Sequence, residues 1–180
     1  MTSSDARKIL AILATEYPEA YKTVDVSAKV ALWSTMFADD DPQDVAMAVR
    51  AYIATDTKGF APKVGQIKAE LVKARIAGAP SAVEVWNHIR RAISNSAYNS
   101  ESEFARLSPA EQMIAGSPHQ LFDWSQMDTA TLDSVVASNV QRAYRGLMER
   151  ESYRMALPAT VSQRLATLAD RAVGRLTDGE

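Results

Sequence analysis

The sequence lacks cysteine altogether and contains only two histidines, His88 and His119, which lie far apart along the chain. The absence of thiols excludes a disulfide framework, a thiolate metal site and cysteine catalysis. Two distant histidines without cysteine also argue against a zinc centre, which draws most of its ligands from these residue types. We therefore expect no metal site and no catalytic site built on thiols or imidazoles.

The sequence also has no long apolar run and no glycine-rich phosphate loop. No stretch approaches the roughly 20 apolar residues of a membrane span, and the N-terminus does not have the layout of a secretion signal. Neither GxxxxGK nor GxGxxG occurs, and no GxSxG motif surrounds a serine. We expect a cytoplasmic protein without membrane contact, cofactor or enzymatic activity.

The charged residues divide the chain into two compositional parts. The 180 residues carry a net charge of −2, which does not favour a protein that coats nucleic acid. All lysines lie at or before Lys73, whereas residues 81–180 carry ten arginines and no lysine. The change falls near Gly78-Ala79-Pro80, and it predicts two units joined there.

Apolar residues recur at three- and four-residue steps along almost the whole chain, which predicts an all-α fold. Residues 1–78 contain four such segments, with Asp25 and Asp41 as suitable N-caps and a loop over 55–62. Proline directly after Asp41 suits a first helical turn. Four short amphipathic helices can close one core, so we predict a small N-terminal four-helix bundle.

Residues 81–157 are predicted to form a second helical unit. Ser108 and Glu111 have the spacing of a capping box, and the polar stretch 94–100 predicts a loop. No proline interrupts the helical period over 129–157, which predicts one long helix. Pro158 ends it, and a C-terminal amphipathic helix with a short tail follows over 158–180. This last helix has an apolar stripe formed by Val161, Leu165, Leu168 and Leu176.

Four aspartates lie close together between Asp39 and Asp44. Clustered carboxylates can bind calcium or magnesium, but a calcium loop that begins at Asp39 needs glycine in sixth place and glutamate in twelfth. Asp44 and Arg50 occupy those places. We interpret the cluster as a helix start, where the helix dipole favours negative charge.

A basic segment over 56–78 is the strongest electrostatic feature of the sequence. Its cations can contact DNA phosphates or an acidic protein partner, or they can form an ordinary solvated helix face. These cations are Lys58, Lys63, Lys68, Lys73 and Arg75.

Several strings resemble a known family. LWSTMFADD (32–40), AYIATDTKGFAP (51–62) and VGQI (64–67) are similar to the N-terminal domain of phage replicative helicase loader/inhibitors. VWNHIRRAISN (85–95) and VVASNVQRAYR (135–145) are similar to longer members from phages and prophages of Gram-positive bacteria. The resemblance spans roughly residues 5–157 and includes no catalytic signature.

The resemblance implies a function as well as a fold. Such proteins bind a hexameric replicative helicase of the DnaB type in its ATP-bound form, restrain it and deliver it to an origin-bound initiator protein. They have no ATPase of their own. Their N-terminal domain is a compact helical bundle. In short members the C-terminal part is largely disordered when free and contains the helicase contact.

This chain differs from the short members because residues 81–180 have caps and regular apolar stripes and are expected to fold. We hypothesise that the 158–176 helix docks in a helicase groove through Val161, Leu165, Leu168 and Leu176. The stripe could instead pack on the protein's own long helix. A DNA-binding replication or transcription regulator that uses the basic 58–75 segment is the alternative function.

Overall fold

A computed structural model shows an all-α chain. It describes the backbone of residues 1–177 and the side chains of residues 1–171, and no β-strand occurs in that part. The predicted all-α fold is therefore confirmed for the part of the chain that the structure describes.

By contacts between Cα atoms the chain divides into two compact units. The first comprises Met1–Ala77 together with the segment from Ser152, and the second comprises Gly78–Glu151. The C-terminal helix is thus grouped with the N-terminal helices. The domain limits predicted from the sequence, at 1–78, 81–157 and 158–180, stay a prediction about folding units.

Helices in the first unit begin where the sequence places their caps. The Asp25 carboxylate accepts hydrogen bonds from the Ser27 and Ala28 amides at 2.8 and 3.1 Å, and the Asp41 carboxylate accepts one from the Gln43 amide at 2.7 Å. Both predicted N-caps are confirmed. The elements are α1 (Ser3–Glu16), a 3-10 turn (Pro18–Tyr21), α2 (Val26–Met36), α3 (Pro42–Thr55), α4 (Val64–Arg75) and α10 (Ala159–Thr177).

One apolar core joins α1 to α4. Helix α1 packs on α2 and α3, and α3 packs on α4. The largest fully buried side chains there are Leu13, Trp33, Phe37, Val45, Val49 and Ile67. Four helices share this core, while their arrangement as a four-helix bundle stays a prediction.

A separate core holds the second unit together. Its centre is the packing of the first helix of the unit, α5, against α7, where Ile89, Ile93 and Leu121 are fully buried. The elements are α5 (Ala82–Arg106), α6 (Pro109–Ala115), α7 (Pro118–Ser125), α8 (Thr129–Thr131), a π-helical segment (Leu132–Val136) and α9 (Ala137–Ala156).

The loop predicted over 94–100 is wrong, because α5 continues through it. The Ser94 and Ser96 hydroxyls donate to the carbonyls of Arg90 and Ala92, at 3.0 and 2.7 Å. Polar side chains that bond to their own helix backbone do not break it. Within α5 the backbone departs from helical geometry at Asn99, where φ is −131° and ψ is 28°, and this kinks the helix.

The stretch predicted as one long helix contains a wider turn near its start. Helical backbone runs without a break from Thr129 to Ala156, but the Ala137 amide bonds to the Leu132 carbonyl, five residues back. Leu132, Val136 and Val140 are all buried. A π turn contains about one residue more than an α-helical turn. Residues four positions apart, such as Leu132 and Val136, therefore stay on the side of the helix that faces the core.

Gly116 ends α6 with a positive φ of 83°, which an L side chain rarely adopts. Nothing lies within 4 Å of a Cβ built there, so Gly116→Ala is expected to lose about 1 kcal/mol of unfolding free energy through backbone strain alone. Gly146→Ala in α9 is the matched control. Gly146→Ala should raise the free energy of unfolding by about 0.5–1 kcal/mol, because alanine is a better helix former than glycine. Urea unfolding of both variants checks the pair, and equal effects would contradict this account.

Candidate partner-binding site

Three adjacent aspartates in the α2–α3 loop have three different structural roles. Asp41 caps α3, as described above. The Asp39 carboxylate accepts a hydrogen bond at 2.7 Å from the Ala159 amide, the first residue of α10. Asp40 is buried, with only 6 % of its surface exposed. The interpretation as a helix start is confirmed for Asp41, whereas Asp39 and Asp40 bind two other elements of the first unit, α10 and α4.

Asp40 forms the centre of a buried charge cluster. Its two carboxylate oxygens accept hydrogen bonds from the Lys68 ammonium at 2.5 Å and from the Arg75 guanidinium at 2.8 Å. Burial acts to raise the pKa of Asp40, but the hydrogen bonds and charges of the two cations outweigh it, and the pKa lies below its usual value. The Lys68 ammonium also lies 4.8 Å from the centre of the Phe37 ring. The cluster ties the α2–α3 loop to α4.

The N-terminal ammonium fixes the same loop from the other side. Met1 donates hydrogen bonds to the carbonyls of Phe37, Ala38 and Asp40 at 3.1, 2.7 and 3.2 Å. These are carbonyls at the end of α2 and just beyond it, where a helix leaves acceptors without an internal partner. The loop that carries Asp39 is therefore held in place on several sides.

Helix α10 presents an uncovered apolar stripe. Val161, Leu165 and Leu168 are 39, 41 and 58 % exposed, at helical spacings of four and three residues that place them on one side. Leu176, the fourth residue predicted for partner binding, lies outside the residues whose side chains are described. The three described side chains are thus together and accessible on a helix whose first amide is bound by Asp39.

The five cations of the basic segment do not form one surface. Lys58 and Lys63 are exposed, and Lys73 is exposed beside Glu70 at 3.8 Å. Arg75 is bonded to Asp40, and Lys68 is buried with 5 % exposure. Lys68 is thus buried and paired with Asp40. Contact between DNA phosphates and the other four cations stays a prediction.

Sequence reasoning missed the partnership of Asp40 with Lys68 because it joins a loop residue to a helix residue 28 positions away. One signal is present in the sequence: the apolar Leu71 and Val72 follow Lys68 by three and four residues, which is the spacing of one helix face. The buried stripe of α4 therefore includes the lysine position. A lysine on a buried stripe calls for a carboxylate partner, and the aspartate cluster supplies it.

Metal-binding clusters and membrane-spanning helices are both absent from the part of the chain that the structure describes. Among the described side chains, those of residues 1–171, no group of three histidine, aspartate or glutamate residues is placed to hold a metal ion. Over the same described part, no helix is long and apolar enough to cross a membrane.

Comparison with known proteins finds a family match for the N-terminal part of the chain. Residues 1–68 match the G39P_N family, which is the N-terminal domain of the phage SPP1 helicase loader/inhibitor. No curated protein matches the chain, and no solved structure matches it. The matched residues include α1 to α3 and the first turn of α4, with the whole α2–α3 loop. Residues 1–68 of this chain are therefore similar to the N-terminal domain of the phage helicase loader/inhibitor family.

Proposed function

We propose that this protein is a non-enzymatic phage replication adaptor. It binds a hexameric replicative helicase of the DnaB type in its ATP-bound form, restrains it, and delivers it to an origin-bound initiator in the cytoplasm of the bacterial host. The family of residues 1–68 supports the class of partner. Restraint and delivery require binding and release only, so no catalytic residue or cofactor is assigned.

The uncovered stripe of α10 carries this proposal. An amphipathic helix that leaves its apolar side exposed is suited to a hydrophobic groove on a partner, with anchors about one turn apart. Val161, Leu165 and Leu168 provide such anchors. Apolar anchors near the centre of an interface contribute most of the binding energy. We assign the helicase contact to this helix, with Leu176 as a fourth anchor.

Deleting residues 158–180 tests the assignment. Helicase pull-down should be lost. Circular dichroism should lose only the signal of the deleted helix, and the unfolding transition of the monomeric chain should be preserved, because the stripe is exposed rather than part of the core. Unchanged helicase binding by a folded deletion variant would contradict the assignment to α10. It would leave the family of the N-terminal part intact.

The alternative function is a DNA-binding regulator that uses the basic segment. Its support is the exposure of Lys58, Lys63 and Lys73. Burial of Lys68 weakens it, because a phosphate contact needs an accessible cation.

Replacing Lys58, Lys63 and Lys73 with alanine separates the two functions. If the protein is a helicase adaptor, helicase affinity should change less than about threefold, since exposed rim charges contribute little. If DNA binding is the function, duplex affinity should fall and its dependence on salt should flatten, because each lost phosphate contact lowers the slope by about one. Fluorescence anisotropy over a range of salt concentrations measures both. Lys68 is left unchanged so that folding is preserved.

A further inference from the structure

The loop between α3 and α4 carries an exposed aromatic residue on a backbone that hydrogen bonds hold in place. Phe60 is 72 % exposed. Its carbonyl accepts a hydrogen bond from the Tyr52 hydroxyl at 3.3 Å, and that hydroxyl accepts one from the side-chain amide (Nε2) of Gln66 at 3.2 Å. The loop does not need to be ordered when a partner binds, which removes an entropic cost of association.

Hydrogen bonds to Asp56 fix the start of the same loop. Its carboxylate accepts bonds from the Lys58 amide and from the Tyr17 hydroxyl, each at 2.9 Å. Burial, reinforced by the nearby carboxylate, raises the pKa of Tyr17 to about 12, so this hydroxyl keeps its proton and remains a donor. Gly59, with a φ of 70°, allows the turn that brings Phe60 outward.

A groove of about 560 Å³ runs beside Phe60, between this loop and the end of α1. Pro18, Ile53 and Ala61 contribute apolar surface to it. The groove is also lined by three acidic residues, Glu16, Glu19 and Asp56. Glu19 pairs with Lys22, but both side chains are largely exposed and the pair is easily exchanged. The groove therefore suits an apolar segment with a basic edge.

Helix α10 has that character. Arg164 and Arg171 each follow a stripe residue, Val161 or Leu168, by three positions, so both lie roughly 60° to the same side of the stripe. Asp170 lies on the face of the helix opposite the apolar stripe. The helix thus presents an apolar stripe with one basic edge. In the described structure of a single chain this stripe is uncovered.

We infer that the groove beside Phe60 binds helix α10 of a second copy of this chain. Each copy offers one helix and one groove, so two equivalent contacts close a twofold dimer. Phe60 and the stripe leucines form the apolar contact, and the two arginines face the acidic edge. The same helix is the one proposed for the helicase, so dimer and helicase complex exclude each other there. The dimer itself does not depend on the helicase.

Reciprocal charge reversal tests this pairing. One variant carries Arg164→Glu and Arg171→Glu, and the other carries Glu16→Arg and Glu19→Arg. Light scattering after gel filtration should give twice the 19.7 kDa chain mass for the unaltered protein and the single mass for each variant alone. Mixing the two variants should restore the dimer, because both contacts then join opposite charges. Restoration on mixing cannot arise from misfolding of either variant.

Phe60→Ala should weaken self-association at least about tenfold, as expected for an aromatic anchor. Met113→Ala, at a methionine 70 % exposed in the second unit, is the control and should have no effect. A single-chain mass for the unaltered protein, or no dimer on mixing the two charge variants, would overturn the inference. A monomer that still binds helicase would overturn it while leaving the proposed function standing.

Discussion

Replacing Asp40 with alanine is expected to destabilise the first unit by about 3–5 kcal/mol, because it leaves the Lys68 ammonium buried without its carboxylate. Both side chains of this pair are almost fully buried, at 4 and 6 % exposure. The loss should be visible as a lower midpoint of urea unfolding. A change below about 1 kcal/mol would mean that the pair is solvated, contrary to the structure.

Two control variants separate the buried charge from the loss of contacts. Asp40→Leu combined with Lys68→Met removes both charges and should recover most of the stability, since paired apolar replacements of a buried ion pair are often neutral. Arg75→Ala should cost at most about 1 kcal/mol, because its side chain is 36 % exposed and solvent screens its charge.

The same cluster makes stability fall in acid. The pKa of Asp40 is lower in the folded state than the value of about 3.9 expected when unfolded. A lowered folded pKa means that the stabilisation is complete above the unfolded pKa and is lost as pH falls towards the folded pKa. The loss between about pH 5 and pH 2 should therefore be steeper in the unaltered protein than in Asp40→Ala.

Placing aspartate at both Leu165 and Leu168 is expected to weaken helicase binding by at least about thirtyfold, or about 2 kcal/mol. Carboxylates at these positions cannot enter an apolar groove without losing their hydration. Because both leucines are exposed in the single chain, its unfolding midpoint should barely move when it is measured at concentrations where the chain is a monomer.

A matched variant on the opposite side of α10 completes this test. Gln163→Asp adds a carboxylate at an exposed position away from the stripe, and it should leave helicase affinity within about threefold. Biolayer interferometry on immobilised helicase measures both variants. Equal losses for the two sides would indicate a general charge effect and contradict a stripe-mediated contact.

Local signals in the sequence predicted the helices well. Asp25, Asp41 and Ser108 each cap a helix, as predicted, because a cap depends on the next three residues alone. The Ser108–Glu111 capping box is present in both directions, with distances of 2.8 and 3.4 Å. Gly116 ends its helix for the same local reason.

Features that depend on distant partners were not predictable. The polar stretch around Ser96 predicts a loop, yet tertiary packing buries that serine within α5. The sequence groups Lys68 with the cations of the basic segment, although the carboxylate that holds it lies on another element. The contact from Asp39 to the start of α10 joins residues 120 positions apart. None of these follows from a window of one or two helical turns.

Gel filtration of the purified chain with a hexameric DnaB-type helicase, with and without ATP, tests the central claim most directly. The proposed function predicts that the two proteins elute together when ATP is present, and that the Leu165 and Leu168 aspartate variant elutes separately. Separate elution of the unaltered chain and the helicase, both with and without ATP, would contradict it.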